Sequence, residues 1–286
     1  MGKPQRFCIF CGKPGRTLEH VWPKWLRKQL GHDPQATNYI SRNLIDVVSG
    51  TVDHKKYEKE RQGDFLTRKV GVACAGCNSG WMSRLEERTK PVLEALIHGR
   101  QTVMEPERLR DLAAWIALKT AVNERAQLTA TIGENESVAV PPEECRHLME
   151  RGEPSERWRI FIYDYRGVNW SRRYFTYHVP LFATERIVDG VPSRTLVAPP
   201  MKPNTLTTTM GLGCFIFHSL GAFGAMDPTE PASNHAEIHR IWPLQGKALK
   251  WPNHDPIGDD VADRLAVQLY DLLVDSGVRL PPLITS

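Results

Sequence analysis

Two Cys-x-x-Cys pairs, Cys8/Cys11 and Cys74/Cys77, carry the plainest chemistry in this chain. Four thiolates are a full ligand set for tetrahedral zinc, and a metal so enclosed has no open position for water or substrate, so the role they predict is structural. A polar group of another kind lies beside each pair: Glu19-His20 follows Cys11 by eight residues, and Asn78 follows Cys77 directly. Carboxylate and amide oxygens suit a hard divalent ion, and a neutral imidazole can take a proton from water. A zinc that ties the two pairs would draw Glu19, His20 and Asn78 between them, which is what metal-assisted hydrolysis of a phosphodiester needs.

The elements that must position these groups are short. Gly12, Pro14 and Gly15 turn the chain after the first pair, and the segment to His20 reads as a strand. A helix is predicted from Pro23 to Leu30, with proline in its first turn and Gly31 as a stop. The stretch 32–66 is polar, with a candidate strand at Asn43 to Val48 and a charged helical run from Asp53 to Arg61. Thr67 to Ala73 alternates as a strand and delivers the chain to Cys74. An amphipathic helix should follow from Asn78 to His98, kinked or divided at Pro91.

Further helices are expected from Pro106 to about Leu128 and from Pro141-Pro142 to Gly152. Segments rich in β-branched and aromatic residues then read as strands at Trp158 to Tyr163, Tyr174 to Phe182, Arg194 to Val197, Thr205 to Thr209, Leu212 to Ser219 and Ala236 to Trp242. A last helix, Asp260 to Asp275, should cover one face of their sheet. The fold class expected is α+β: a small zinc-stapled ββα-metal module over 1–99, then a larger α+β body over 100–286 with a mainly antiparallel sheet.

Charge is divided unevenly along the 286 residues. Residues 1–100 hold 18 Lys and Arg against 10 Asp and Glu, whereas the remainder holds 19 against 23. A basic first third on a slightly acidic body suggests that a polyanion would meet the N-terminal part. No run of 18 apolar residues occurs, and Met1 to Arg6 lacks the apolar stretch of a secretory signal. With thiols spaced for metal, these features lead to the expectation of a cytoplasmic protein without a membrane partner. Cys145 and Cys214 sit among apolar residues and read as buried free thiols.

Cys8-x-x-Cys11, Glu19-His20-x-x-Pro23 and Cys74-x-x-Cys77-Asn78 together resemble the HNH (His-Me finger, ββα-metal) endonucleases, in particular the zinc-bearing branch that includes phage endonuclease VII. The resemblance covers Cys8 to about Gly99, a third of the chain. It implies a structural Zn²⁺ on the four cysteines, a catalytic Mg²⁺ or Mn²⁺ on Glu19 and Asn78, and His20 as the general base. It also implies nucleic acid, DNA before RNA, as partner and substrate. Glu stands where Asp is commoner, and Thr67, Arg68 and Lys69 occupy the place of a middle asparagine. Asp53, His54 and Asp64 in the insert are candidates for a further ligand. Arg68, Lys69 and Arg84 flank the second pair and are candidate phosphate contacts. Two other readings stay open: a zinc-dependent nucleic-acid-binding or interaction protein without catalysis, and an RNA-cleaving defence or toxin effector.

Overall fold

The fold is described from a computed structural model, over residues 6–31, 38–42, 58–62, 65–128, 138–179, 181–188, 191–197, 202–224, 240–252 and 254–275. The first strand, β1 (Glu19–His20), leads into helix α1 (Lys24–Leu30), which Pro23 opens and Gly31, at φ 74°, ends as its sequence predicts. Strands β2 (Asn38–Arg42) and β3 (Glu58–Gln62) form an antiparallel pair. Residues 43–57, with the expected strand Asn43 to Val48, lie outside the described residues. The end of the expected helical run is corrected, because Glu58 to Arg61 is strand. That charged stretch has no apolar stripe to bury as a helix, and a backbone ladder to β2 satisfies it instead.

A 3₁₀ turn (Phe65–Thr67) precedes β4 (Lys69–Val70), so the strand is shorter than the alternating stretch 67–73 suggests. Strand β4 runs antiparallel to β1, with Glu19 opposite Val70 and His20 opposite Lys69. The chain then enters α2 (Ala75–Cys77), widens through a π-helical turn (Asn78–Met82) and continues as α3 (Ser83–Ile97). Pro91 does not divide α3. The carbonyl it leaves without a donor belongs to Glu87, and both residues are exposed, so water can satisfy that group.

Strand β5 (Thr102–Met104) is followed by α4 (Pro106–Leu128), within the bounds its sequence predicts, and by α5 (Pro142–Arg151), which Gly152 stops in the left-handed region at φ 72°. The body then adds β6 (Trp158–Asp164), β7 (Tyr174–Val179), β8 (Phe182–Val188), β9 (Val191–Val197), β10 (Thr205–Leu212), β11 (Phe215–Ala222), β12 (Arg240–Trp242), β13 (Leu249–Trp251) and α6 (Asp259–Asp275). Five strands form one antiparallel sheet in the order β12-β6-β11-β10-β7. The single strand expected from Tyr174 to Phe182 is two, since Pro180 between them has no N–H to give a ladder. The strand expected from Leu212 begins at Phe215 instead, because Gly213 at φ 61° and Cys214 turn the β10–β11 hairpin.

Alternation along the strands sorts the core into two layers. Ile160, Ile162, Leu206, Phe215 and Phe217 belong to a large cluster that includes α4, whereas Phe161, Tyr163 and Ile216 join Ala262, Leu265 and Ala266 of α6. With a helix on each face, β10 and β11 are buried along their whole length. Three of their hydroxyls pair inside the protein: Thr208 with Thr176 at 3.0 Å, Ser219 with Thr120 of α4 at 3.1 Å, and Thr209 with His218 Nδ1 at 2.8 Å. The larger cluster also takes in Cys8, Phe10, Trp22 and Leu26, so the N-terminal third and the body share one core. Among the described residues, no helix is long and apolar enough to cross a membrane.

Buried Glu124 accepts the N–H groups of Ala139 and Val140 at 2.6 and 3.1 Å, and His178 Nδ1 lies 4.0 Å from its carboxylate. Burial pushes the His178 imidazole below its ordinary value, outweighing the upward pull of Glu124. The unfolded chain therefore takes up this proton more readily, and stability should be fully present above an ordinary histidine pKa of about 6.5 and decline as pH falls below it. His178→Gln is expected to flatten that decline, measured as melting temperature between about pH 7.5 and pH 5.

Candidate metal centre and its neighbouring polar groups

The first cysteine pair is set by a tight backbone turn. Cys8 N–H donates to the Lys13 carbonyl at 2.9 Å, Gly12 N–H returns to the Cys8 carbonyl at 3.0 Å, and Gly12 takes φ 69°, which suits a residue without Cβ. The second pair lies at a helix start, where Asn78 N–H donates to the Cys74 carbonyl at 3.0 Å. Main-chain bonds lace the two together: Ile9 N–H to Val72 O at 3.0 Å and Thr17 N–H to Ala73 O at 2.9 Å. The Arg16 guanidinium donates to Phe7 O and Gly71 O, one carbonyl on each side.

As a result the four sulfurs of Cys8, Cys11, Cys74 and Cys77 lie within 4.8 Å of one another, with Cys11 Sγ and Cys74 Sγ 3.6 Å apart. Zinc–thiolate bonds of about 2.3 Å in a tetrahedron put sulfurs about 3.8 Å apart, so the cluster fits a zinc ion. All four thiols are free, and 3.6 Å is far beyond the roughly 2.05 Å of a disulfide. Burial pushes the Cys8 thiol up, but the backbone donors of Cys11, Cys74 and Phe10 outweigh it and bring the group down to about 7. Burial raises the Cys77 thiol, and the Cys11 and Cys8 thiols beside it add to the rise.

The other expected site residues fall on elements that leave this cluster. His20 is half-buried on β1, and Asn78, also half-buried, opens the π-helical turn. Of Glu19 the backbone on β1 is described, and its side chain lies outside the described residues. Gly80 breaks the helical path inside the turn, with φ −93° and ψ −110°. Such wide turns interrupt the regular ladder and often stand at functional sites. Asp53, His54 and Asp64 lie outside the described residues.

The three cationic candidates are placed differently from one another. Lys69 and Arg84 are exposed, but Arg68 is buried, and its Nη1 donates to the Tyr174 hydroxyl at 3.3 Å. Trp22 is buried against Trp115 of α4, with ring centroids 6.4 Å apart, while Trp25 and Trp81 pack half-buried against the same core. Sequence reading did not anticipate α5 at the four-cysteine cluster: Met149 Sδ lies 3.9 Å from Cys77 Sγ, and Cys145 is buried in the same core. The apolar face of α5 is visible in its sequence, but nothing local says which neighbour that face meets. Cys214 is half-buried rather than buried, and accepts from Arg166 Nη1 at 3.2 Å.

Comparison with known protein families, with curated proteins and with solved structures finds no match.

Metal analysis of the purified chain should return one zinc per molecule. Cys74→Ser should weaken zinc binding at least about 100-fold, since it removes one of four ligands from a site that contributes roughly 10–16 kcal/mol in zinc-finger peptides. Competition with a colourimetric zinc chelator measures the change.

Proposed function

We propose that this chain is a metal-dependent endonuclease of the HNH type that hydrolyses phosphodiester bonds of DNA. The observation that supports the reading is the descent of two polar segments from one four-cysteine cluster: the strand Glu19–His20, paired to β4, and the turn that Asn78 opens. Their order of strand, strand and helix is what this reading requires. The excess of Lys and Arg in residues 1–100 suits a polyanionic substrate.

In this reading zinc on the four cysteines is structural. The oxygen donors of Glu19 and Asn78 suit a hard divalent ion, Mg²⁺ or Mn²⁺, which when bound would supply charge stabilisation at the phosphate. His20 takes a proton from a water molecule as its oxygen attacks phosphorus. The new P–O bond forms in line with the bond to O3′, which breaks; the departing O3′ takes a proton from solvent, leaving a 5′-phosphate and a 3′-hydroxyl. Exposed Lys69 and Arg84 flank this region and would hold phosphates on either side of the reacting one.

Nicking of supercoiled plasmid in Mg²⁺ or Mn²⁺ tests the reading. His20→Ala should lower the rate by about 10²–10⁴-fold, the range of general-base contributions, with zinc content unchanged. Plasmid left intact by wild type under both ions would overturn it. Binding of DNA without cleavage would then indicate a non-catalytic nucleic-acid-binding protein, and cleavage confined to RNA an RNA-directed effector.

A further inference from the structure

The pairing of β1 with β4 sets Lys69 opposite His20, and one step further along Val21 N–H donates to the Arg68 carbonyl at 2.8 Å. Arg68 is thus the residue against which the end of the His20 strand is fixed. Its side chain turns inward. Arg68 is 5% exposed, and its guanidinium donates at 3.3 Å to the hydroxyl of Tyr174 on β7, an edge strand of the body's sheet. A guanidinium meant for phosphate must stand where the phosphate arrives, with its donors open to it. One enclosed in the core and directed at a phenol instead holds two elements in fixed relation.

Two further contacts act on the same strand end. Strand β4 packs on α4, and Trp22, two residues past His20, rests on Trp115 of α4. From these contacts we propose that Arg68 is a positioning residue: through the Tyr174 hydroxyl, the body's sheet fixes β4 and thereby His20. The body is then part of the geometry of the site, in addition to any part it takes in choosing a target. The catalytic consequence rests on the nuclease reading, whereas the mechanical linkage does not.

The test uses full-length, zinc-loaded protein and three variants: Tyr174→Phe, Arg68→Lys and the two combined. Each single change should lower kcat for plasmid nicking about tenfold, the factor to which one net hydrogen bond corresponds, with KM unchanged. The double variant should match the singles, because both remove the same link. A phosphate contact at Arg68 predicts otherwise: lysine keeps the charge and works, KM carries any change, and Tyr174→Phe is silent. That pattern, or additive losses, would overturn the proposal.

Hydrogen exchange reads the linkage without activity. In Tyr174→Phe, amides in the peptide spanning 17–22 should exchange about tenfold faster at equal zinc content, since the bond that anchors their partner strand is gone. Unchanged exchange overturns the positioning role whatever the activity. Faster exchange in a chain whose wild type cuts nothing overturns the nuclease reading and retains the linkage.

Discussion

The convergence of four sulfurs within 4.8 Å is the constraint on which the N-terminal third depends. The regular elements that meet there are very short: β1 and β4 have two residues each and α2 has three. None of these would persist alone, because a helix must fix several residues before its first bond forms and isolated strand pairs are marginal in water. Their order comes from outside themselves, from four sulfurs gathered at one point and from the lacing of Ile9 and Thr17 to Val72 and Ala73. A metal at that point would act on the backbone at both cysteine pairs at once, and each adjoining polar residue inherits its place from them.

The body supplies the other half of that support. Trp22 enters the same apolar cluster as α3, α4 and the inner face of the sheet, and Met149 of α5 touches Cys77. Lys119, nearly buried on α4, pairs with Glu86 on α3, so the two long helices are joined by charge as well as by packing. Removing one member of such a pair leaves an enclosed charge uncompensated, which is why buried pairs hold register strongly even where their net contribution to stability is small. The N-terminal third with its four-cysteine cluster is therefore better viewed as one wall of a larger core than as a self-sufficient finger.

What the sequence disclosed followed from how local the physics is. The spacing of each pair is set within four residues, so Cys8/Cys11 and Cys74/Cys77 announce a candidate metal centre by themselves. Helix α4 is visible because Pro106 opens a long apolar run, and α5 because prolines start it and Gly152 stops it. The failures came where a distant partner decides. Glu58 to Arg61 looks helical by itself and is strand because β2 lies beside it. Arg68 looks like surface charge but is buried, and the Tyr174 hydroxyl it engages lies 106 positions further on. The candidate site shows the same division: its residue types were legible, while the side chains that hold them, on α4, α5 and β7, were not.

The hydrogen bond from Val21 to the Arg68 carbonyl has a meaning beyond the strand it ends. It joins the two ends of the long excursion between β1 and β4, so that everything from α1 to the 3₁₀ turn departs from and returns to one doorway. The entropy of closing such a loop grows only with the logarithm of its length, about 0.6 kcal/mol for each doubling. Lengthening or shortening the excursion between α1 and the 3₁₀ turn would thus cost the framework little in loop closure, provided the doorway is kept along with Leu26 and Leu66, which those two elements place in the core. The chain has in effect a built-in slot, in which a segment of new size and chemistry can be hung between α1 and the 3₁₀ turn without rebuilding what holds His20.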